Sequence, residues 1–125
     1  MGKKRPKILI SPSNLTGYTC EFLDSEDFLP ITPLFLAAES LFGFDEQTLI
    51  SSQKSAYVCV ARDICMAALY CLGYRPARIG RIFGGRGYET VLRAIGRCKK
   101  DSTCNSLLEQ LLEKYKEKSE NYYYF

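Results

Sequence analysis

From Thr32 onward the apolar positions recur at helical spacing. Thr32 is placed to cap a first helix, Pro33 suits its first turn, Leu34 to Phe42 supply apolar positions, and Gly43 ends it. Asp45 predicts the cap of a short second helix over Glu46–Ile50, and Ser51 to Ala56 reads as a polar loop carrying Lys54. The stretch from Tyr57 to Leu72 is longer and mostly apolar. Within it Val60, Ile64, Ala67, Ala68 and Cys71 return at three- and four-residue steps, which predicts the central core helix, stopped by Gly73. Pro76 opens a short helix within Arg75–Phe83, and Gly84-Gly85 breaks it. The next helix starts near Gly87–Tyr88 and runs to about Lys99. It places Val91, Ala94, Ile95 and Cys98 toward the core and Glu89, Arg93, Gly96 and Lys100 on the opposite side. Asp101 or Ser102 caps a final helix with the stripe Leu107, Leu108, Leu111, Leu112 and Tyr115.

The flanks read differently. Residues 1–29 form an extension: a basic arm at Lys3, Lys4, Arg5 and Lys7, a brief strand at Ile8–Ile10, turn chemistry at Ser11-Pro12-Ser13-Asn14, and an acidic run from Glu21 to Asp27. Residues 30–118 carry the helical pattern, and residues 119–125 end in the aromatic tail Tyr122-Tyr123-Tyr124-Phe125. The 125 residues are enough for one compact domain with a core of its own. No apolar run approaches the ~20 residues of a membrane span. Ile8–Ile10 is too short for the core of a signal peptide, so a cytoplasmic location is expected.

Charge and chemistry narrow the function. Histidine is absent, which removes the commonest general base, the Cys/His zinc sets and His-activated nucleophiles. Of the six cysteines, Cys20, Cys59, Cys65, Cys71, Cys98 and Cys104, none forms a C-x-x-C pair; they read mostly as small buried thiols. There is no paired-carboxylate motif and no metal-ligand spacing, so neither an enzyme nor a cofactor is expected. The net charge of +3 is uneven: Lys54 to Lys100 holds ten bases against Asp63 and Glu89, a local +8, while the remainder carries −5. A basic middle with acidic flanks points to a polyanion, nucleic acid first.

Two short helices about a glycine turn, the second exposing basic side chains, is the pattern of a helix-turn-helix, whose second helix fits the major groove. The residues Ile79-Gly80-Arg81-Ile82-Phe83-Gly84-Gly85-Arg86, followed by Thr90-Val91, resemble the signature of the C-terminal DNA-binding domain of the bacterial replication initiator DnaA, I-G-x-x-F-G-G-R-D-H-T-T-V. The resemblance covers about residues 30–116. It includes Leu49-Ile50-Ser51 at a Leu-Leu-Ser step and Arg62 at the family arginine of the long helix, with one residue fewer at Gly73–Tyr74. It implies an all-α fold, a small helical bundle with a Trp-repressor-like helix-turn-helix, and double-stranded DNA as partner.

Carried over by position, Arg86 stands at the mouth of the recognition helix, able to reach a phosphate or guanine O6/N7. Thr90 offers a hydroxyl to phosphate, Glu89 an acceptor for cytosine N4, and Tyr88 replaces the family histidine. Arg93 joins them at helix spacing, with Glu89–Arg93 pairing as the alternative to contact with DNA. Lys54, Arg62, Arg75, Arg78, Arg81 and Arg97 complete the expected DNA-binding set. The sequence also departs from the family. Gly87-Tyr88-Glu89 replaces Asp-His-Thr, Val60 replaces the arginine of the minor groove, and the loop Ser52–Ala56 holds a single base. No G-x-x-x-x-G-K-[ST] loop is present, so no nucleotide is expected to bind. The expected function is a nucleoid-associated regulator of transcription or replication initiation without ATPase activity. The alternative is a protein-interaction module that keeps the fold and engages a partner through the last helix and the aromatic tail.

Overall fold

The computed structural model describes Ile31 to Tyr123, with side chains through Ser119, together with Pro12. The basic arm, the strand expected at Ile8–Ile10, the acidic run and the side chains of Tyr122–Phe125 lie outside the described residues. The described chain is all-α: α1 (Thr32–Phe42), α2 (Glu46–Ile50), α3 (Ala56–Cys71), α4 (Pro76–Ile82), α5 (Tyr88–Lys100) and α6 (Ser102–Tyr123). The final helix continues past 118, into the segment expected as the aromatic tail.

Local chemistry explains most boundaries. The first helix begins one residue earlier than Thr32 suggests. Ile31 is its N-cap residue, and the Ile31 carbonyl accepts from Leu34 N–H at 3.0 Å; Thr32 and Pro33 already lie inside the helix. Gly43, in the left-handed region at φ 82°, closes it. Asp45 caps α2 by accepting from Thr48 N–H at 2.9 Å, and these hydrogen bonds hold its carboxyl below the usual range. Asp101, rather than Ser102, caps α6: Oδ1 accepts from Thr103 N–H at 2.9 Å and from Cys104 N–H at 3.2 Å.

The central helix α3 is surrounded by α1, α2, α4, α5 and α6. From Ile64 through Leu72 every side chain is buried, so periodicity alone understates how completely the helix is enclosed. At its start the core positions are Val58 and Ala61; Val60, expected inside, is 41% exposed. On α5 the expected face is the buried one: Val91, Ala94, Ile95 and Cys98. The α6 stripe is also core. Leu108, Leu111, Leu112 and Tyr115 are buried in a bundle where α6 packs on α1 and α3, which removes them as a surface for another protein. Phe35 and Phe83, with ring centroids 5.7 Å apart, tie α1 to the end of α4. Asn105 Nδ2 donates to the Pro12 carbonyl at 2.7 Å, anchoring that point of the N-terminal extension on α6.

Cys65, Cys71 and Cys98 are buried free thiols, and burial pushes Cys71 and Cys98 up to about 12 and Cys65 upward as well. Among the described residues no group of three or more metal-binding side chains comes together, and no helix is long and apolar enough to cross a membrane.

The turn between α4 and α5 closes on Gly80. Its carbonyl accepts from Arg86 N–H at 2.8 Å, and a Cβ at Gly80 would collide with the Arg86 carbonyl oxygen. Gly80→Ala therefore forces the turn open and costs about 3 kcal/mol or more. Gly96, inside α5 with open space around it, gains about 0.5–1 kcal/mol from the same substitution. Thermal denaturation of the two variants should show opposite signs; a neutral Gly80→Ala would mean that the turn is not closed this way.

Candidate nucleic-acid interface

The surface singled out by sequence is built from α4, the Gly84-Gly85 bend, α5 and the loop between α2 and α3. Both bend glycines have left-handed φ, 79° and 80°. Gly84 lies against the end of α2, where a Cβ would stand 2.8 Å from the Ile50 carbonyl oxygen.

Two arginines of the expected DNA-binding set turn inward at this point. Arg62, only 6% exposed, donates from Nε to the Leu49 carbonyl at 2.7 Å and from Nη2 to those of Ser51 and Gln53, each at 2.9 Å. A guanidinium enclosed in this way cannot reach a phosphate, so Arg62 belongs to the scaffold rather than to the expected DNA-binding set. Arg86 is half-buried. Its Nη1 donates to the carbonyls of Phe83 and, at 3.3 Å, Ile50, and its Nη2 donates to the Ser51 carbonyl at 2.7 Å. These are the carbonyls that a helix end leaves without partners. With Thr48 O accepting from the Ser51 N–H and hydroxyl, each carbonyl from Thr48 to Ser51 has a donor. Neither guanidinium faces a carboxylate among the described residues, and burial together with the charge of Arg62 lowers the Arg86 pKa.

The other expected residues are dispersed. Lys54 is exposed in the loop that Arg62 holds. Arg75 and Arg81 are exposed at the two ends of α4, and Arg78 between them is half-buried. On α5, Tyr88 is 55% exposed and Thr90 half-buried; Glu89 and Arg93 are both exposed and only loosely paired, at 3.9 Å. Arg97 makes a bidentate pair with Asp63 of α3, Nε to Oδ2 at 2.7 Å and Nη2 to Oδ1 at 3.0 Å, which raises the Arg97 pKa. Half of its side chain remains open to solvent.

Sequence reasoning missed several contributors. Leu92 and Tyr57 are exposed apolar side chains on α5 and α3, and Tyr57 at 81% exposed is the more open of the two. Asp63, one of only two acids in the basic span, was the one visible hint of the α3–α5 ion pair. The carbonyl acceptors of Leu49 to Gln53 carry no side-chain signal at all.

The two inward arginines should therefore be read first in stability. Arg62→Ala strands the carbonyls of Leu49 and Gln53 and empties a buried site, costing about 3–5 kcal/mol, and Arg86→Ala costs about 2–3 kcal/mol. Arg97→Ala leaves the Asp63 carboxylate, 15% exposed, without its bidentate partner and costs about 1–2 kcal/mol. Urea denaturation of the three variants checks the order; an Arg86→Ala protein as stable as the parent would contradict the placement of its guanidinium.

No family model, curated protein or solved structure matches the chain.

Proposed function

We propose that this protein binds double-stranded DNA through α5 and acts, without ATPase activity, as a nucleoid-associated regulator of transcription or replication initiation. The observation that carries the reading is the exposed face of α5. A 13-residue helix, set by a fixed bend, buries Val91, Ala94, Ile95 and Cys98 and presents Arg93, Arg97, Lys99 and Lys100 outward, with Glu89 its sole acid. A helix is the right width for the major groove, and basic side chains flanking it meet the phosphates on either side. Lys54 and Arg81 are exposed on neighbouring elements and add to the positive charge of this region.

The α5 face also suggests how sequence would be read. Arg93 suits guanine O6/N7, and Glu89 suits the amino group of cytosine. Tyr88 and Leu92, one helical turn apart and exposed, suit thymine methyl groups. The inward guanidinium of Arg86 passes the role of reader to Arg93.

A second reading has its own support. Tyr57, Val60, Tyr88 and Leu92 are the exposed large apolar side chains of α3 and α5, a composition that also suits a protein partner. Salt dependence separates the two.

With about five phosphate contacts, log affinity for a duplex falls with log salt at a slope of about −4.5, or about 500-fold between 50 and 200 mM. Arg93→Ala weakens binding by about 1–3 kcal/mol and relaxes preference at one base pair. Fluorescence anisotropy on duplexes drawn from a random-sequence selection measures both. Absence of binding at 50 mM salt, or a flat salt response, would leave the protein-partner reading in its place.

A further inference from the structure

Two stretches of the proposed DNA surface lie far apart in sequence: the loop around Lys54 and the start of α5. The structure fastens them to each other. Lys54 is fixed on both sides. Before it, the Gln53 carbonyl accepts from Arg62 at 2.9 Å, and Gln53 N–H donates to Ser51 Oγ at 3.2 Å. After it, Ser55 is the N-cap residue of α3, its carbonyl accepting from Cys59 N–H at 3.0 Å. The bend that leads into α5 is tied to the same loop. Arg86 spans Phe83 on the bend and Ile50 and Ser51 some 35 residues earlier, and Gly84 rests on the Ile50 carbonyl. The Ser51 carbonyl accepts from both guanidiniums, so one atom joins the two halves of the clamp.

We propose that Arg86, acting with Arg62, is a positioning residue. It sets Lys54 at a fixed offset from α5, so that one duplex engages both, and it does so without touching DNA itself. The inference rests on the DNA-binding reading above. Its physical content is geometric. Three carbonyls from two segments are gathered by a single planar fork, a task that a lysine ammonium of equal charge performs poorly. A phosphate-reading arginine needs charge at the surface; Arg86 directs both of its Nη atoms inward. The separation of charge from fork makes the two roles distinguishable.

The experiment is a double-substitution cycle in the full chain: the parent, Lys54→Ala, Arg86→Lys, and both together, each measured for duplex affinity across a salt series. One phosphate contact is worth about 0.9 in the slope and about eightfold in affinity at 0.1 M salt relative to 1 M. Arg86→Lys keeps the positive charge, yet it is expected to lose about one contact's worth of slope and affinity. Adding Lys54→Ala to it should weaken binding less than twofold further, because the Lys54 contact is already lost. Two results would overturn the proposal: an Arg86→Lys protein that binds like the parent, or losses that multiply in the double variant. Circular dichroism confirms that each variant folds. Where Arg86→Lys does not fold at the assay temperature, Arg62→Lys replaces it in the same cycle, since Arg62 holds the Gln53 carbonyl next to Lys54. A parent protein without duplex affinity removes the DNA reading itself, an outcome seen before any variant is compared.

Discussion

The carbonyl groups at the end of α2 are the constraint around which this surface is arranged. A five-residue helix leaves nearly all its carbonyls without internal partners, and those of Leu49 and Ile50 meet guanidinium groups from distant parts of the chain. Something must donate to Leu49, Ile50, Ser51 and Gln53. Arg62 reaches them from the central helix and Arg86 from the bend before α5, so satisfying one short helix joins three parts of the chain. The Gly84 contact works to the same end, since only a residue without a side chain lets the bend approach the Ile50 carbonyl that Arg86 also uses.

This solution sets two like charges near each other with no carboxylate opposite either, among the described residues. Guanidinium tolerates such a setting better than ammonium does. Its charge is spread over a plane, it is less strongly hydrated, and its N–H groups match several carbonyl dipoles at once. Carbonyls neutralise the charge only partly, so part of the field survives at the surface, beside Lys54 and the start of α5. A basic scaffold beneath a basic face enlarges the positive potential felt by an approaching polyanion, even from residues that do not touch it. The Arg97–Asp63 pair does the reverse at the other end of α5: a carboxylate fixes the helix to α3 and offsets one of its charges.

Much of the fold was legible because helix boundaries follow from local chemistry. Asp45, Gly43, Gly73 and Pro76 act within a few residues of themselves, and the face of α5 follows from spacing alone. The errors arose where tertiary packing decides. Val60 fits a core stripe by periodicity, yet Val58 and Ala61 take the core because α3 is enclosed on several sides at once and a single stripe does not describe it. The site was legible as a location, less so as a set of contacts. Arg62 and Arg86 look like surface cations because arginine usually is one. Their true partners are backbone oxygens, which every residue possesses and no sequence pattern marks.

That distinction alters what the Gly-Gly-Arg motif means in this chain. An arginine beside an exposed basic helix invites a DNA role. Arg86 instead maintains the bend and the loop, a duty that any user of this helix pair needs, whatever it binds. The geometry of the turn thus accounts for Phe83-Gly84-Gly85-Arg86. Evidence for the ligand must come from side chains that the geometry leaves free. These are Arg93, Lys99 and Lys100 on one side, and Tyr88 and Leu92 on the other. The first group favours a polyanion and the second tolerates either a base or a protein. Gly87-Tyr88-Glu89 follows directly on the bend that Arg86 holds, so the side chains free to meet a ligand begin where the fixed geometry ends.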